Sequence, residues 1–132
     1  MTPLDRIKAH PLPFADLLGV VFTRADAGGV EARMVVKPEF CTLGSVAHGG
    51  ALISFADTLG GAASFVNLPP EAKGTTTLES KTNFLGAAPA GSTLIGRCAL
   101  IHGGRRTQVW QTRIETASGK FVALVTQTQM TL

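Results

Sequence analysis

The sequence predicts an α+β fold in which one long helix lies against a curved antiparallel sheet of five or six strands. Three observations predict it. One apolar stretch, Ala47 to Val66, has helical periodicity. Four later segments alternate as strands do. The turns between the last of these segments are short enough to join antiparallel neighbours. At 132 residues, the chain fits a single domain over residues 1–132.

The first third of the chain predicts a short helix followed by a hairpin. Apolar residues at helical spacing follow Pro13, and the pattern ends near Gly19. Two alternating stretches, Val20 to Arg24 and Val30 to Val36, then predict strands. The glycine-rich link between these stretches is typical of a hairpin, and Pro38 stops the second strand.

The long helix is expected after Gly44, and its two faces differ in composition. One face is apolar at spacings of three and four, which predicts a core contact: Leu52, Phe55, Ala56, Leu59, Ala63 and Val66. The nearly opposite face holds only glycines, serines and one carboxylate: Gly50, Ser54, Asp57, Gly61 and Ser64. Because a solvated face would carry Lys, Glu and Arg, we infer that both faces are covered, by wrapping or by dimerisation.

Four segments beyond Pro69-Pro70 are predicted to form three or four strands, and short glycine turns favour an antiparallel meander for the last three. Their ranges are Thr75 to Leu85, Thr93 to His102, Arg106 to Thr116 and Lys120 to Thr131. In the third of these, Trp110, Thr112 and Ile114 share one face and polar residues share the other. This alternation predicts a sheet with one solvated side and one side covered by the helix.

Composition disfavours several classes of partner. The net charge is +3, only 16% of residues are charged, and aromatic residues do not alternate with basic ones, so nucleic acid is not an expected partner. Two cysteines, Cys41 and Cys98, lack zinc-site spacing, and we expect neither a metal site nor a disulfide. With no run of roughly 20 uninterrupted apolar residues and no apolar leader-like segment near Met1, we expect a cytoplasmic protein without a membrane partner.

The most informative motif is His48-Gly49-Gly50 at the start of the long helix, with Asp57 two and a half turns later. Two glycines at a helix start allow a ligand to approach bare backbone N–H groups. Those groups and the helix dipole favour an oxygen that gains negative charge. The motif therefore predicts chemistry at a helix N-terminus, with a carboxylate on the same helix.

This motif and three others resemble the hotdog-fold thioesterases, in particular the PaaI-like acyl-CoA thioesterases. The resemblance rests on HGGALISFADTLGGAAS at 48–64, TTLESKTNFLGAAPAG at 76–91, GRRTQVW at 104–110 and GKFVA at 119–123. It implies a hotdog fold and paired subunits with joined sheets, forming a homodimer or a dimer of dimers (a homotetramer) with active sites at the subunit interface. Many members carry an Asn before the His, whereas residues 41–47 contain none.

The resemblance also implies roles for individual residues. Asp57 corresponds to the catalytic carboxylate, a general base or a nucleophile, and the Gly49 N–H to the donor that polarises the thioester carbonyl. Among Thr75, Thr76 and Thr77, the last is the best candidate to complete the catalytic site. His48 is also counted among the catalytic residues, and we expect its main role to be orienting the glycine turn. No cofactor and no metal is implied. Contacts with the substrate or with coenzyme A are expected from Gly50, Asn83, Arg105 and Arg106.

Three functions remain open on the sequence. An acyl-CoA thioesterase is favoured, with acyl-CoA as substrate. A hotdog dehydratase of hydroxyacyl thioesters would need a His and an acid across the substrate carbon, and no second His is suitably placed. A non-catalytic acyl-CoA-binding module would keep Arg105 and Arg106, whose guanidinium groups suit phosphates, but would not need Asp57. The same two arginines could equally form a solvated basic loop.

Overall fold

A computed structural model describes residues 1–132 of the protein. The chain forms three α-helices and eight strands, with a single 3₁₀ turn at Pro38–Phe40. In chain order these are α1 (Pro3–Lys8), α2 (Pro13–Leu18), β1 (Val21–Asp26), β2 (Gly29–Val35), β3 (Cys41–Thr42), β4 (Val46–Ala47), α3 (Gly49–Val66), β5 (Thr75–Phe84), β6 (Thr93–Gly103), β7 (Thr107–Thr116) and β8 (Phe121–Thr131).

Six strands form one antiparallel sheet in the order β1-β2-β6-β7-β8-β5, and β3 and β4 form a separate two-stranded hairpin. The predicted hairpin of β1 and β2 and the predicted meander of β6, β7 and β8 are both confirmed. Trp110, Thr112 and Ile114 are buried on one face of β7, while Arg113 is exposed on the other. The α+β prediction is confirmed, because α3 packs against every strand of the large sheet.

Three short elements escaped the sequence prediction. Helix α1 begins at a capping box, in which the Thr2 side chain accepts from the Asp5 N–H and the Asp5 carboxylate accepts from the Thr2 N–H. The 3₁₀ turn and the β3–β4 hairpin are too short to show a hydrophobic period. Helix α2 was predicted correctly and ends at Gly19, whose φ of 74° is the left-handed conformation that favours glycine.

Helix α3 is the core helix, and its predicted apolar face is confirmed. Five of the six predicted residues are buried, and Val66 is partly buried against them. The helix begins at Gly49 instead of Ala47, because Ala47 pairs with Cys41 in the small hairpin. By length and composition alone α3 could cross a membrane. Its packing against the sheet is that of a core helix.

The opposite face of α3 is covered at one end only. Ser64 is 1% exposed and bonds to Thr75 at 2.9 Å, so the predicted covering of this face is present at its C-terminal end. Gly50 and Gly61 are half-buried, and Asp57 is exposed. Strand β5 passes over the C-terminal part of the helix and leaves the face around Asp57 open within one chain.

Both cysteines are free thiols. Cys98 is 1% exposed in the core, and burial raises the pKa of its thiol to about 11. Cys41 is half-buried, with its thiol 3.5 Å from the Lys37 carbonyl oxygen. Cys98 thus behaves as a small apolar residue of the core.

Candidate active site

The first turn of α3 is fixed by its own cap. His48 is the N-cap, and its Nδ1 accepts a hydrogen bond from the Gly50 N–H at 2.8 Å. The His48 N–H donates to the Phe40 carbonyl at 2.7 Å, and the His48 carbonyl accepts from Ala51 at 2.9 Å. These contacts are those of a residue that orients the glycine turn. A catalytic role for His48 stays a prediction.

The Gly49 N–H has no hydrogen-bond partner within the chain. It lies at the positive end of an 18-residue helix. A Cβ on Gly49 would lie 3.1 Å from the Phe84 ring, and a Cβ on Gly50 would lie 2.9 Å from the Nδ1 of His48. The two glycines therefore differ in function: the Gly50 N–H is used by the cap, and the Gly49 N–H is available to an incoming acceptor.

Asp57 is held through one carboxylate oxygen only. Its Oδ1 accepts from the Thr77 hydroxyl at 3.0 Å and from the Gln127 Nε2 at 3.2 Å. Its Oδ2 has no partner within the chain, and the residue is exposed. Thr77 thus meets the predicted carboxylate, while its part in catalysis stays a prediction. The arrangement leaves one oxygen of Asp57 ready to accept a proton or to attack a carbonyl.

A chain of hydrogen bonds behind Thr77 sets the direction of its hydroxyl. The Gln129 Nε2 donates to the Thr77 oxygen at 2.6 Å, and the Gln129 Oε1 accepts from Thr75 at 3.1 Å. Ser64 extends the chain through Thr75. Because the Thr77 oxygen already accepts from an amide, its single hydrogen is left to point at Asp57.

Sequence reasoning missed Gln127 and Gln129, although the sequence contains a sign of them. Both are 1% exposed and lie on β8, on the same face as buried Val125. Two glutamines at alternating positions on a core face need hydrogen-bond partners inside the protein. Their spacing indicates a buried polar cluster, but it does not reveal that the cluster ends at Asp57.

The remaining predicted residues lie apart from this network. Asn83 is exposed on β5, and its Oδ1 accepts from Lys81 at 2.8 Å. Arg105 and Arg106 are exposed in the turn between β6 and β7 and form no ion pair within the chain. The proposed contacts of these three residues and of Gly50 with coenzyme A or substrate stay predictions.

The two halves of the candidate site face different depressions of the chain. His48 and Gly50 line one of about 690 Å³. Asp57 lines another of about 370 Å³, with Thr77 and Gly61. Gly49 and Asp57 are eight residues apart, so they lie about 12 Å apart along the helix axis. A single substrate carbonyl cannot contact both groups of one chain.

Comparison with known proteins gives a consistent result. The sequence profile of the thioesterase superfamily matches residues 44–123. Proofreading thioesterase EntH of Klebsiella pneumoniae is 30% identical over 104 residues, which cover 78% of this chain and 74% of EntH. A mutant of the phenylacetic acid degradation protein PaaI from Thermus thermophilus superposes with a TM-score of 0.84 at 26% identity, covering 92% of this chain and all of that one.

A third protein shares the fold at lower identity. The smu.793 protein of Streptococcus mutans, solved bound to acetyl CoA, superposes with a TM-score of 0.79 at 24% identity. The match covers 86% of this chain and 88% of smu.793. It shows a common backbone architecture between the two proteins.

Proposed function

The chain belongs to the thioesterase superfamily, and from that premise we propose that it hydrolyses acyl-CoA thioesters to a free acid and coenzyme A. Its fold is the hotdog fold, its relatives include PaaI-like proteins, and it is a hydrolase of thioesters. The observation that carries the proposed hydrolysis of acyl-CoA is the hydrogen bonding of the Asp57 carboxylate. Its Oδ1 accepts from two donors, while its Oδ2 has no partner.

In the proposed reaction the thioester carbonyl oxygen accepts a hydrogen bond from the Gly49 N–H. Asp57 either removes a proton from a water that attacks the carbonyl carbon, or attacks that carbon itself and forms an acyl–Asp57 anhydride, which a water then hydrolyses to the free acid and the free carboxylate. In both routes the C–S bond breaks, and the coenzyme A thiolate takes up a proton. One well-placed donor to the carbonyl contributes about 10²–10³ in rate, and a general base about 10²–10⁴.

The reaction requires two copies of the chain, because Gly49 and Asp57 of one copy lie about 12 Å apart along the axis. Strand β5 supports this assembly. It is an edge strand of the sheet, and all its residues except Thr75 and Thr82 are exposed. A long uncovered edge favours pairing with another strand.

The two ends of β5 also border the two halves of the site. Thr77 near one end contacts Asp57, and Phe84 at the other end packs beside Gly49. Antiparallel pairing of β5 with the β5 of a second copy brings opposite ends of the strands together. We therefore propose that Asp57 of one copy works with Gly49 of the other. Two such pairs could associate further as a tetramer.

The surroundings of Asp57 suit an acyl group, and the turn between β6 and β7 with Arg105 and Arg106, here called the basic turn, suits a nucleotide. Apolar side chains of Leu12 and Phe14 line the depression that contains Asp57. The free guanidinium groups of Arg105 and Arg106 are suited to the phosphates of coenzyme A. A protein of the same fold, smu.793, binds acetyl CoA, which supports this class of substrate.

A test of the proposal is Asp57→Asn, with Asp16→Asn as the matched control. Asp16 carries the same carboxylate on α2 and takes no part in the hydrogen bonds around Asp57. Release of free thiol from acetyl, hexanoyl, benzoyl and phenylacetyl-CoA measures the activity. We expect a loss of about 10²–10⁴ in kcat for Asp57→Asn and wild-type activity for the control.

Two outcomes would contradict the proposal. Full turnover by Asp57→Asn would exclude the mechanism, and tight binding of every acyl-CoA without any wild-type turnover would favour a binding module. A dehydratase gains no support, because the Nδ1 of His48 is already used to cap the helix. The same thiol-release assay distinguishes hydrolysis from dehydration, which releases no thiol.

A further inference from the structure

The position of Gln127 is not explained by packing. Its side chain is 1% exposed, and its Oε1 is buried with no hydrogen-bond partner. A buried carbonyl without a partner costs free energy, whereas an apolar side chain of the same size would not. The other end of the amide, Nε2, donates to the Oδ1 of Asp57 at 3.2 Å. Rotating the amide would place an oxygen against the carboxylate, so the donor must face Asp57.

Helix α3 leaves room for this amide at Gly60, which lies one turn after Asp57. A Cβ at Gly60 would lie 2.2 Å from the Cδ of Gln127 and 2.4 Å from its Nε2. Neither distance is possible, so any larger residue would displace the amide. A glycine inside a helix is itself unfavourable relative to alanine. The chain thus combines two unfavourable features at the one place where an amide reaches Asp57.

We propose that Gln127 is a positioning residue for Asp57, an inference that rests on the proposed function. Gln127 on β8 and Thr77 on β5 donate to the same oxygen from two different strands. Two donors from separate strands fix the rotation of the carboxylate, and they direct the Oδ2 away from the sheet toward the substrate. Since a misplacement of about 1 Å can cost about 10²-fold in rate, loss of one donor lowers kcat and leaves substrate binding unchanged.

The test is Gln127→Met, which keeps the length of the side chain and removes the donor. The matched control is Gln111→Met, because Gln111 likewise donates one hydrogen bond through its Nε2, to the Thr126 hydroxyl at 3.2 Å, and takes no part in the contacts of Asp57. We expect Gln127→Met to lower kcat about tenfold with KM within about twofold of wild type. Its Tm should equal or exceed that of wild type, because the unpartnered carbonyl is gone. The control should keep the wild-type kcat.

A second variant, Gly60→Ala, tests the same contact from the helix side. It displaces the amide while keeping Gln127, so kcat should fall by a similar factor. The double variant Gly60→Ala/Gln127→Met should be no slower than the slower single variant, because both remove one contact. A wild-type kcat for Gln127→Met would overturn the proposal. So would a fall in Tm as large as that of a core truncation, which would assign Gln127 a structural role.

The proposed role of Gln127 can be tested separately from the proposed function, even if the wild type hydrolyses no acyl-CoA. That result would contradict the proposed function alone. The Tm comparison and a crystal structure of Gln127→Met would still decide the role of Gln127. A carboxylate of Asp57 that rotates away from Thr77 in the variant would support the proposal, and an unchanged carboxylate would overturn it.

Discussion

The two functional turns of α3 are built in different ways. The first turn offers a backbone N–H at Gly49, and its hydrogen-bonding side chains are local ones: His48, which caps the helix, and Ser54, which donates to the Gly50 carbonyl at 2.7 Å. The turn that carries Asp57 depends on side chains from two strands, Thr77 on β5 and Gln127 on β8. A backbone donor needs only a helix start with little bulk around it, whereas a carboxylate needs partners that choose which oxygen is free.

This difference predicts which substitutions affect only their own turn of the helix and which also affect contacts with the sheet. A change at the first turn should act through one N–H and leave the rest of the fold intact. A change around Asp57 should act through contacts that cross the sheet. Because the two turns lie about 12 Å apart along the axis, the first turn of one copy must work with the Asp57 turn of a second copy.

The largest expected effect in this comparison comes from Gly49→Pro measured against Gly49→Ala. Proline is well tolerated at the first position of a helix, and it removes only an N–H that has no partner within the helix. His48 before it has φ −64° and ψ 139°, which a following proline allows. We expect kcat for Gly49→Pro to be about 10²–10³ lower than for Gly49→Ala, measured by thiol release.

Gly49→Ala is the control because it introduces the same Cβ near the Phe84 ring and keeps the N–H. Equal kcat values for the alanine and proline variants would show that the first turn does not polarise the substrate. Circular dichroism should give the same helix content for both, since neither residue is excluded from the first position.

The next expectation is complementation between two inactive chains. Co-expressed Asp57→Asn and Gly49→Pro chains should form mixed dimers in which one of the two sites has both an intact Asp57 and an intact Gly49. Random pairing makes half of the dimers mixed, so activity should return to about a quarter of wild type. Tandem affinity tags on the two chains isolate the mixed dimer for assay. Absence of recovery in the purified mixed dimer would mean that each chain completes its own site.

The smallest effect is expected at the basic turn. Replacing Arg105 and Arg106 by alanine should raise KM for acyl-CoA about three- to tenfold, leave kcat unchanged, and have less effect at high salt. Arg33, also exposed and without an ion pair, provides the control Arg33→Ala. If the KM of the double alanine variant stays at the wild-type value at every ionic strength, Arg105 and Arg106 form a solvated loop and do not contact coenzyme A.

The sequence was most informative where the periodicity of apolar residues along one element determines its structure. The apolar face of α3 and the alternation of β7 follow from helical and strand geometry, and the glycine turn at His48 follows from local backbone chemistry. Ser64 shows where this reasoning stops. It lies at almost the same angle on the helix as Asp57, but a helical wheel gives angle and not depth, and β5 covers Ser64 and not Asp57.

Gln127 and Gln129 could not be assigned for a related reason. Their alternation with Val125 shows that they face inward, yet their partners lie at 57 and 77, far away in the sequence. Which inward residue meets which helix turn depends on strand order, and β8 meets Asp57 because it lies between β7 and β5. Register across a sheet of this connectivity is a tertiary property.

The exposed edge of β5 also couples catalysis to concentration. If association completes the site, mass action sets the fraction of chains that are competent, and dilution lowers the activity per chain. The separated chain would then present the free edge of a ten-residue strand, which is a template for aggregation. Loss of turnover and loss of solubility would thus begin with the same dissociation event.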